Sequence, residues 1–178
     1  MEIFFEKDIL VVDGDNSKGY ESKIKVHKNG QLHRAYSFII LNSKKEILLQ
    51  RRSLNKHHSG GLWSNTCCSH QKMGDEDLEK SAHDRLFEEM GIRCNLKKIL
   101  DFKYNIKLNN GITENEIDHV FLGYFNGNPK INRDEVMDFK WMSLTDLKKD
   151  LEQNAERYSY WFKEILTRTD FFKDFLSL

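Results

Sequence analysis

With 178 residues, 39% of them hydrophobic and 31% charged, the chain has the size and balance of one soluble globular domain, taken to span residues 1–178. Its 28 Lys and Arg match its 28 Asp and Glu, so nothing in the net charge favours nucleic acid or an anionic membrane as partner, although local basic clusters can still hold a small anion. Apolar runs fall short of the ~20 residues a membrane helix needs, and an odd set of three cysteines behind an N-terminus without an export pattern points to a reducing, cytoplasmic setting.

In chain order, strand-like stretches are expected at 9–12, 37–41, 47–51, 99–104, 119–124 and 139–142. Asn42-Ser43-Lys44-Lys45 reads as the hairpin turn between the second and third. Residues 77–90 read as a helix capped by Asp75 or Asp77 and closed by Gly91, with Leu78, Ala82, Leu86 and Met90 on its buried face. A second helix runs from Thr145 to about Asn154 with Leu147 and Leu151 inward, and the aromatic-rich tail, 156–178, is expected to be helical. Strands, a helix, more strands and then helices make a mixed α/β (α+β) domain without regular βαβ alternation.

Seven histidines are present. His27 and His33 flank Gly30, His70 follows Cys68 by two residues, and Glu114 and Glu116 are also two apart. On extended backbone a spacing of two puts both side chains on one face. Two carboxylates aimed at one point repel unless a cation lies between them. Three imidazoles with two carboxylates form a mixed N/O set suited to a six-coordinate divalent ion such as Mn²⁺, Mg²⁺ or Zn²⁺; the alternative is an ordinary solvated face. His57, His58, His83 and His119 are expected to be surface or loop residues. Cys68 shares the face of His70, Cys67 points the other way as a small core residue, and Cys94 is read as core or surface. Arg51, Arg52 and Lys56 end a strand in a cluster able to grip phosphate, or simply in a solvated strand end. Glu89 stands near a helix C-terminus, where a carboxylate opposes the helix dipole, a misfit that hints at a role such as holding a metal.

These pieces resemble a family. Arg51-Arg52-Ser53-Leu54-Asn55-Lys56, Gly61-Leu62-Trp63-Ser64-Asn65-Thr66-Cys67-Cys68-Ser69-His70, Phe87-Glu88-Glu89-Met90-Gly91, Gly111-Ile112-Thr113-Glu114-Asn115-Glu116, Asp134-Glu135-Val136-Met137-Asp138 and Tyr160-Trp161 are similar to the type 1 isopentenyl-diphosphate isomerases. The resemblance covers most of the chain and implies a Nudix-like mixed sheet between helices, with additional C-terminal helices. It implies that His27, His33, His70, Glu114 and Glu116 bind a tight divalent metal, and that Glu89 helps hold a Mg²⁺ accompanying the substrate diphosphate. Cys68 and Glu116 would be the proton-transfer pair, with Tyr104 supporting the relay and Trp161 over the reacting carbons. Lys23, Arg52, Lys56 and Arg85 would surround the diphosphate. The substrate is then a small isoprenyl diphosphate, handled by a monomer with neither nucleic acid nor membrane as partner.

The sequence departs from that family pattern at three places. His58-Ser59-Gly60-Gly61 replaces a Trp-Pro-Gly-like turn, Gln71 replaces a proline, and Asp75 replaces a Glu, which puts loop rigidity and rate in question. The Nudix Arg-Glu dipeptide is Asp84-Arg85 here, which argues against nucleoside-diphosphate hydrolysis with Glu88 and Glu89 on Mg²⁺. Two rival readings stand beside the isomerase: such a Nudix hydrolase, which would leave the His and Cys cluster idle, and a non-catalytic, metal-stabilised binding module.

Overall fold

The computed structural model describes residues 8–75, 77–108 and 111–168. Its strands, in order, are β1 (Ile9–Asp13), β2 (Asn16–Glu21), β3 (His33–Leu41), β4 (Glu46–Arg52), β5 (Trp63–Ser64), β6 (Cys67–His70), β7 (Leu96–Lys107), β8 (Thr113–Tyr124) and β9 (Val136–Ser143). The helices are α1 (Lys23–Asn29), α2 (Leu78–Met90), α3 (Leu144–Asn154) and α4 (Tyr160–Arg168).

All the described strands join one mixed sheet built around β3. Along one edge β3 pairs with β8, in parallel, from His33↔Glu116 to Leu41↔Tyr124. Along the other it meets β1 at its start, β6 through Ala35↔His70 to Phe38↔Cys67, and β4 at its end. β7 flanks β8 and β9 flanks β4, both antiparallel. The expected hairpin between β3 and β4 is present, with Asn42 N donating to Glu46 O at 3.0 Å.

Alternation along β3 and β8 divides the core in two. Phe38, Ile40 and Phe121 pack with Leu86 and Met90 of α2 on one face, while Ile39, Leu41, Val120 and Leu122 pack with Phe162 and Ile165 of α4 on the other. Each fully buried large apolar side chain contributes about 1.5–3 kcal/mol. Asp77 caps α2, its carboxylate accepting from the backbone of Glu79 and Lys80, and Gly91 ends it at φ 66°. Asp75 instead holds the backbone of Lys72, its Oδ2 accepting from Lys72 N at 3.0 Å.

The elements differ from expectation in several places. β2, β5, β6 and α1 went unexpected: β2 is largely exposed, β5 and β6 are short, and α1 is a short helix burying Val26 and His27 alone among its residues. β3, β7, β8 and β9 are longer than the stretches expected for them. The expected helical tail breaks: residues 155–157 form a 3₁₀ turn, and Ser159 N then donates to Trp63 O at 2.9 Å, which draws the backbone out of helix before α4 begins. Residues 169–178 of that expected tail lie outside the described residues. Among the described residues, no helix is long and apolar enough to cross a membrane.

Candidate metal centre and adjoining cavity

The sheet's alternation decides where the polar residues go. On β8, Glu114, Glu116 and Asp118 share the parity of Val120 and Leu122, so they face the α4 side. On β3, His33 shares the parity of Ile39 and faces the same way. The parallel register sets His33 beside Glu116, and β6 brings His70 opposite Ala35. α1 supplies His27 from its last turn.

Ligand atoms of His27, His33, His70, Glu114 and Glu116 lie within 4.8 Å of one another. Glu114 Oε2 is 3.3 Å from His27 Nε2 and 3.6 Å from His33 Nε2. Glu116 Oε1 is 3.3 Å from His33 Nε2 and 2.9 Å from His70 Nε2. His27 Nδ1 lies 2.6 Å from the Lys23 carbonyl and His33 Nδ1 2.9 Å from that of Gln31, so these nitrogens carry the protons they donate. Both rings therefore turn Nε2 toward the cluster centre, the atom that would offer its lone pair to a cation once free of its proton. His27 Nε2, His33 Nε2 and both carboxylate oxygens of Glu114 are buried without a well-aligned hydrogen bond. Buried polar atoms left this way are costly, and a divalent cation with N/O preference would satisfy them together, so the donor set fits such an ion.

The charges point the same way. Burial opposes ionisation of both carboxylates, yet the imidazoles of His27, His33 and His58 hold Glu114 well below the usual range, and His33 and His70 lower Glu116 against the repulsion of Glu114. Burial works against His33 as well, but the two carboxylates raise it to about 10. Burial lowers His70 to about 4. The pocket thus demands positive charge at its centre.

Beside the cluster lies a cavity of about 370 Å³. His70 and Glu116 form the wall between the two. Cys68, Tyr104 and Trp161 also line the cavity, as do Lys23, Arg52, Lys56 and Arg85. Tyr104 donates to Glu116 Oε2 at 2.5 Å. The Cys68 thiol is pushed up to about 11 by burial, with Arg52 pulling the other way, so it is protonated at neutral pH. Arg52 Nη1 is 3.4 Å from its sulfur, and the guanidinium stands 4.9 Å from the Trp161 ring centre. Trp161 Nε1 donates to Asn65 Oδ1 at 3.2 Å, which fixes the indole plane.

Glu89 is fully buried behind the cations rather than in the cavity wall. Its Oε2 accepts from Arg85 at 2.7 Å, and Lys56 Nζ is 3.7 Å from Oε1. Glu135 joins this group, contacting both Lys56 and Arg85, which lower it to about 2 despite partial burial.

Sequence reasoning missed three groups. His58, expected on the surface, points inward with 9% of its side chain exposed, and its Nε2 is 2.8 Å from Glu114 Oε1. Its loop is drawn in by tight backbone packing that no side-chain periodicity records. Lys72 lines the cavity as a further cation. Glu135, although part of a quoted motif, had no expected role. His119, also expected on the surface or in a loop, is buried in β8 on the opposite face, with Lys98 Nζ 3.1 Å from Nδ1 and Asp15 3.4 Å from Nε2. His57 is exposed at the cavity, and Cys67 is buried against α2. Gln71 does not loosen its loop: its backbone N donates to Arg34 O at 3.1 Å, a bond a proline could not make, and its amide bridges Arg34 and the Asp75 carbonyl.

The sequence and the fold have counterparts among known proteins. A NUDIX domain family model matches residues 31–162. Isopentenyl-diphosphate Delta-isomerase 2 of Aromatoleum aromaticum is 46% identical over 90% of this chain and 84% of its own length. The isopentenyl-diphosphate Delta-isomerase of Pectobacterium atrosepticum is 41% identical over 95% and 94%. Among solved structures, a Deinococcus radiodurans protein superposes with TM-score 0.74 at 16% identity, over 92% of this chain and 98% of its own. A MutT protein of Methanosarcina mazei does so with TM-score 0.60 at 26% identity, over 81% and 92%. Identity at this level across nearly the whole chain, on a Nudix fold, makes the chain a member of the isopentenyl-diphosphate Delta-isomerase family.

Proposed function

We propose that this protein interconverts isopentenyl and dimethylallyl diphosphate, with Cys68 and Glu116 as its proton-transfer pair. One observation carries the assignment of roles. A thiol from β6 and a carboxylate from β8 line one cavity, together with an indole and a ring of cations.

An unactivated alkene moves only if one carbon gains a proton and another loses one. One group of the pair protonates the terminal carbon, leaving a tertiary carbocation. The other takes a proton from the neighbouring carbon on the diphosphate side, and that C–H electron pair becomes the new double bond. The reverse reaction exchanges the roles, and no net proton is consumed. Tyr104, hydrogen-bonded to Glu116, supports the relay at that carboxylate. Trp161 offers the carbocation a ring face worth about 0.5–2 kcal/mol, and the nearby Arg52 guanidinium marks it as a place where positive charge is accepted.

Lys23, Arg52, Lys56 and Arg85 are assigned to the diphosphate, anchoring the substrate remote from the reacting carbons. His27, His33, His70, Glu114 and Glu116 would hold the tight metal, a Mn²⁺, Mg²⁺ or Zn²⁺ ion. When bound, that ion supplies positive charge that tunes the proton affinity of Glu116. Glu89, behind Arg85 and Lys56, is the candidate for a Mg²⁺ that accompanies the diphosphate. The same reading has a single domain working as a cytoplasmic monomer, with neither nucleic acid nor membrane as partner, in keeping with the balanced charge.

The test is to incubate the protein with isopentenyl diphosphate, Mg²⁺ and Mn²⁺ in D₂O and follow the product by NMR. Deuterium is expected in the methyl group of dimethylallyl diphosphate, and Cys68→Ala should abolish its formation while the fold survives. Near-parental turnover by Cys68→Ala would overturn the assigned roles, and a protein yielding no dimethylallyl product would overturn the activity.

A further inference from the structure

We propose that His58 is a positioning residue, one that orients Glu114 within the metal cluster and links that carboxylate to the Trp161 end of the cavity. The argument begins with how Glu114 is divided. Its Oε2 faces His27 Nε2 at 3.3 Å and His33 Nε2 at 3.6 Å, while Oε1 is turned away from them toward His58 Nε2 at 2.8 Å. Glu114 is 1% exposed, so with the loop in place His58 rather than bulk water stands at Oε1. A carboxylate with one oxygen set against an imidazole at this distance has its rotation restricted, and the other oxygen is thereby aimed at His27 and His33. Groups in this outer position commonly set metal affinity, because they orient a ligand before the ion arrives.

The loop carrying His58 is built to bring it there. Ser59 has φ 52° and Gly61 φ 78°, and a Cβ on Gly60 would fall 2.8 Å from the Leu54 carbonyl oxygen. Gly61 N donates to Arg52 O at 2.9 Å, closing the loop at its base. The loop also reaches the reacting end. The His58 ring meets Trp161 edge-on at 5.6 Å, and its carbonyl accepts from Arg52 Nη2 at 3.1 Å, while Nη1 of the same guanidinium lies 3.4 Å from Cys68 Sγ. His58 thus touches a carboxylate of the cluster, the indole and the cation next to the thiol.

This inference rests on the reading of the cluster as a metal site, and its test separates the two. His58→Gln keeps an N–H near the Nε2 position, whereas His58→Asn has the same chemistry but falls short of Glu114. Mn²⁺ alone is titrated into parent and variants, with free ion read by electron paramagnetic resonance, folding checked by circular dichroism, and kcat and KM then measured. His58→Asn should bind Mn²⁺ about 10–100-fold more weakly, with kcat reduced and KM for the diphosphate within about twofold of the parent. His58→Gln should recover most of both losses. Equal Mn²⁺ affinity in the Asn variant and the parent overturns the proposal, as do equal losses in the Gln and Asn variants. A parent that binds Mn²⁺ with this variant pattern but isomerises nothing leaves the proposal standing and removes the isomerase reading instead.

Discussion

Replacing Glu116 with Gln tests the chemistry with the least disturbance to the fold. Glu116 is 6% exposed, and the substitution conserves its volume. Oε1 receives His70 at 2.9 Å and Oε2 receives the Tyr104 hydroxyl at 2.5 Å. A Gln can keep its carbonyl oxygen toward His70 and turn its NH₂ toward Tyr104, whose hydroxyl can accept as well as donate. Each charge-assisted bond, worth about 1.5–3 kcal/mol, becomes a neutral one worth about 0.5–1.5. Relief of the repulsion between Glu114 and Glu116 offsets part of that, leaving a net stability loss of about 1–2 kcal/mol. The loss of proton transfer is larger. General acid–base groups supply about 10²–10⁴-fold in rate, or about 3–5 kcal/mol of barrier, and an amide cannot carry the proton. Glu116→Gln should therefore melt within about 10 °C of the parent while losing at least about 10²-fold in kcat, read by NMR of the dimethylallyl product. A variant that is fully folded and turns over within tenfold of the parent would refute the assignment of Glu116.

Two other substitutions probe the cavity's frame. Gly60→Ala sets a Cβ against the Leu54 carbonyl at 2.8 Å, so the loop must move at a cost of about 1–3 kcal/mol; a lowered Tm and a raised KM are expected, and unchanged values of both would show that the loop's path is immaterial. Glu135→Gln probes acid stability: the folded pKa of Glu135 lies below its ordinary 4.5, at about 2, so its stabilisation is full above 4.5 and is lost as pH falls through about 2. That depression corresponds to about 3 kcal/mol, so denaturant titrations should show the parent ahead of the variant at pH 6 by up to that amount, with the gap closing toward pH 2; a gap that stays constant with pH would mean that the contacts with Lys56 and Arg85 contribute nothing through charge.

Much of the fold could be read from periodicity. The buried face of α2 falls on Leu86 and Met90 as spacing implies, and Asp77 caps it. Four strands, β3, β7, β8 and β9, were read several residues short, and β3 and β8 extend at the end that carries the cluster residues. β3 begins at His33 rather than at residue 37, β8 at Thr113 rather than 119, and β7 runs past Tyr104 to Lys107. The cause is physical. A strand is recognised by apolar alternation, and where its inward positions are His33, Glu114 and Glu116, that signal vanishes although the backbone pairing continues. In β3 and β8 the polar cluster residues thus hid the strand ends that hold them. α1 was lost for a related reason, since its buried face is one valine and one cluster histidine.

Spacing of two could join Glu114 to Glu116, or Cys68 to His70, because both members share a strand. It could not join one pair to the other, nor find His58, whose partner is 56 positions away on another element. What joins them is register. β3 and β8 run parallel with Phe38 beside Phe121, their rings stacked at 5.9 Å on the α2 face. A slip of one residue would turn every β8 side chain to the opposite face, sending Glu114 and Glu116 toward α2 and Phe121 away from its core. Burial of Phe121, Val120 and Leu122 forbids that slip, since each would exchange a packed site for the wrong side of the sheet. The apolar half of β8 therefore sets the positions of its acidic half, and the cluster needs no local device of its own to bring its carboxylates to the three imidazoles.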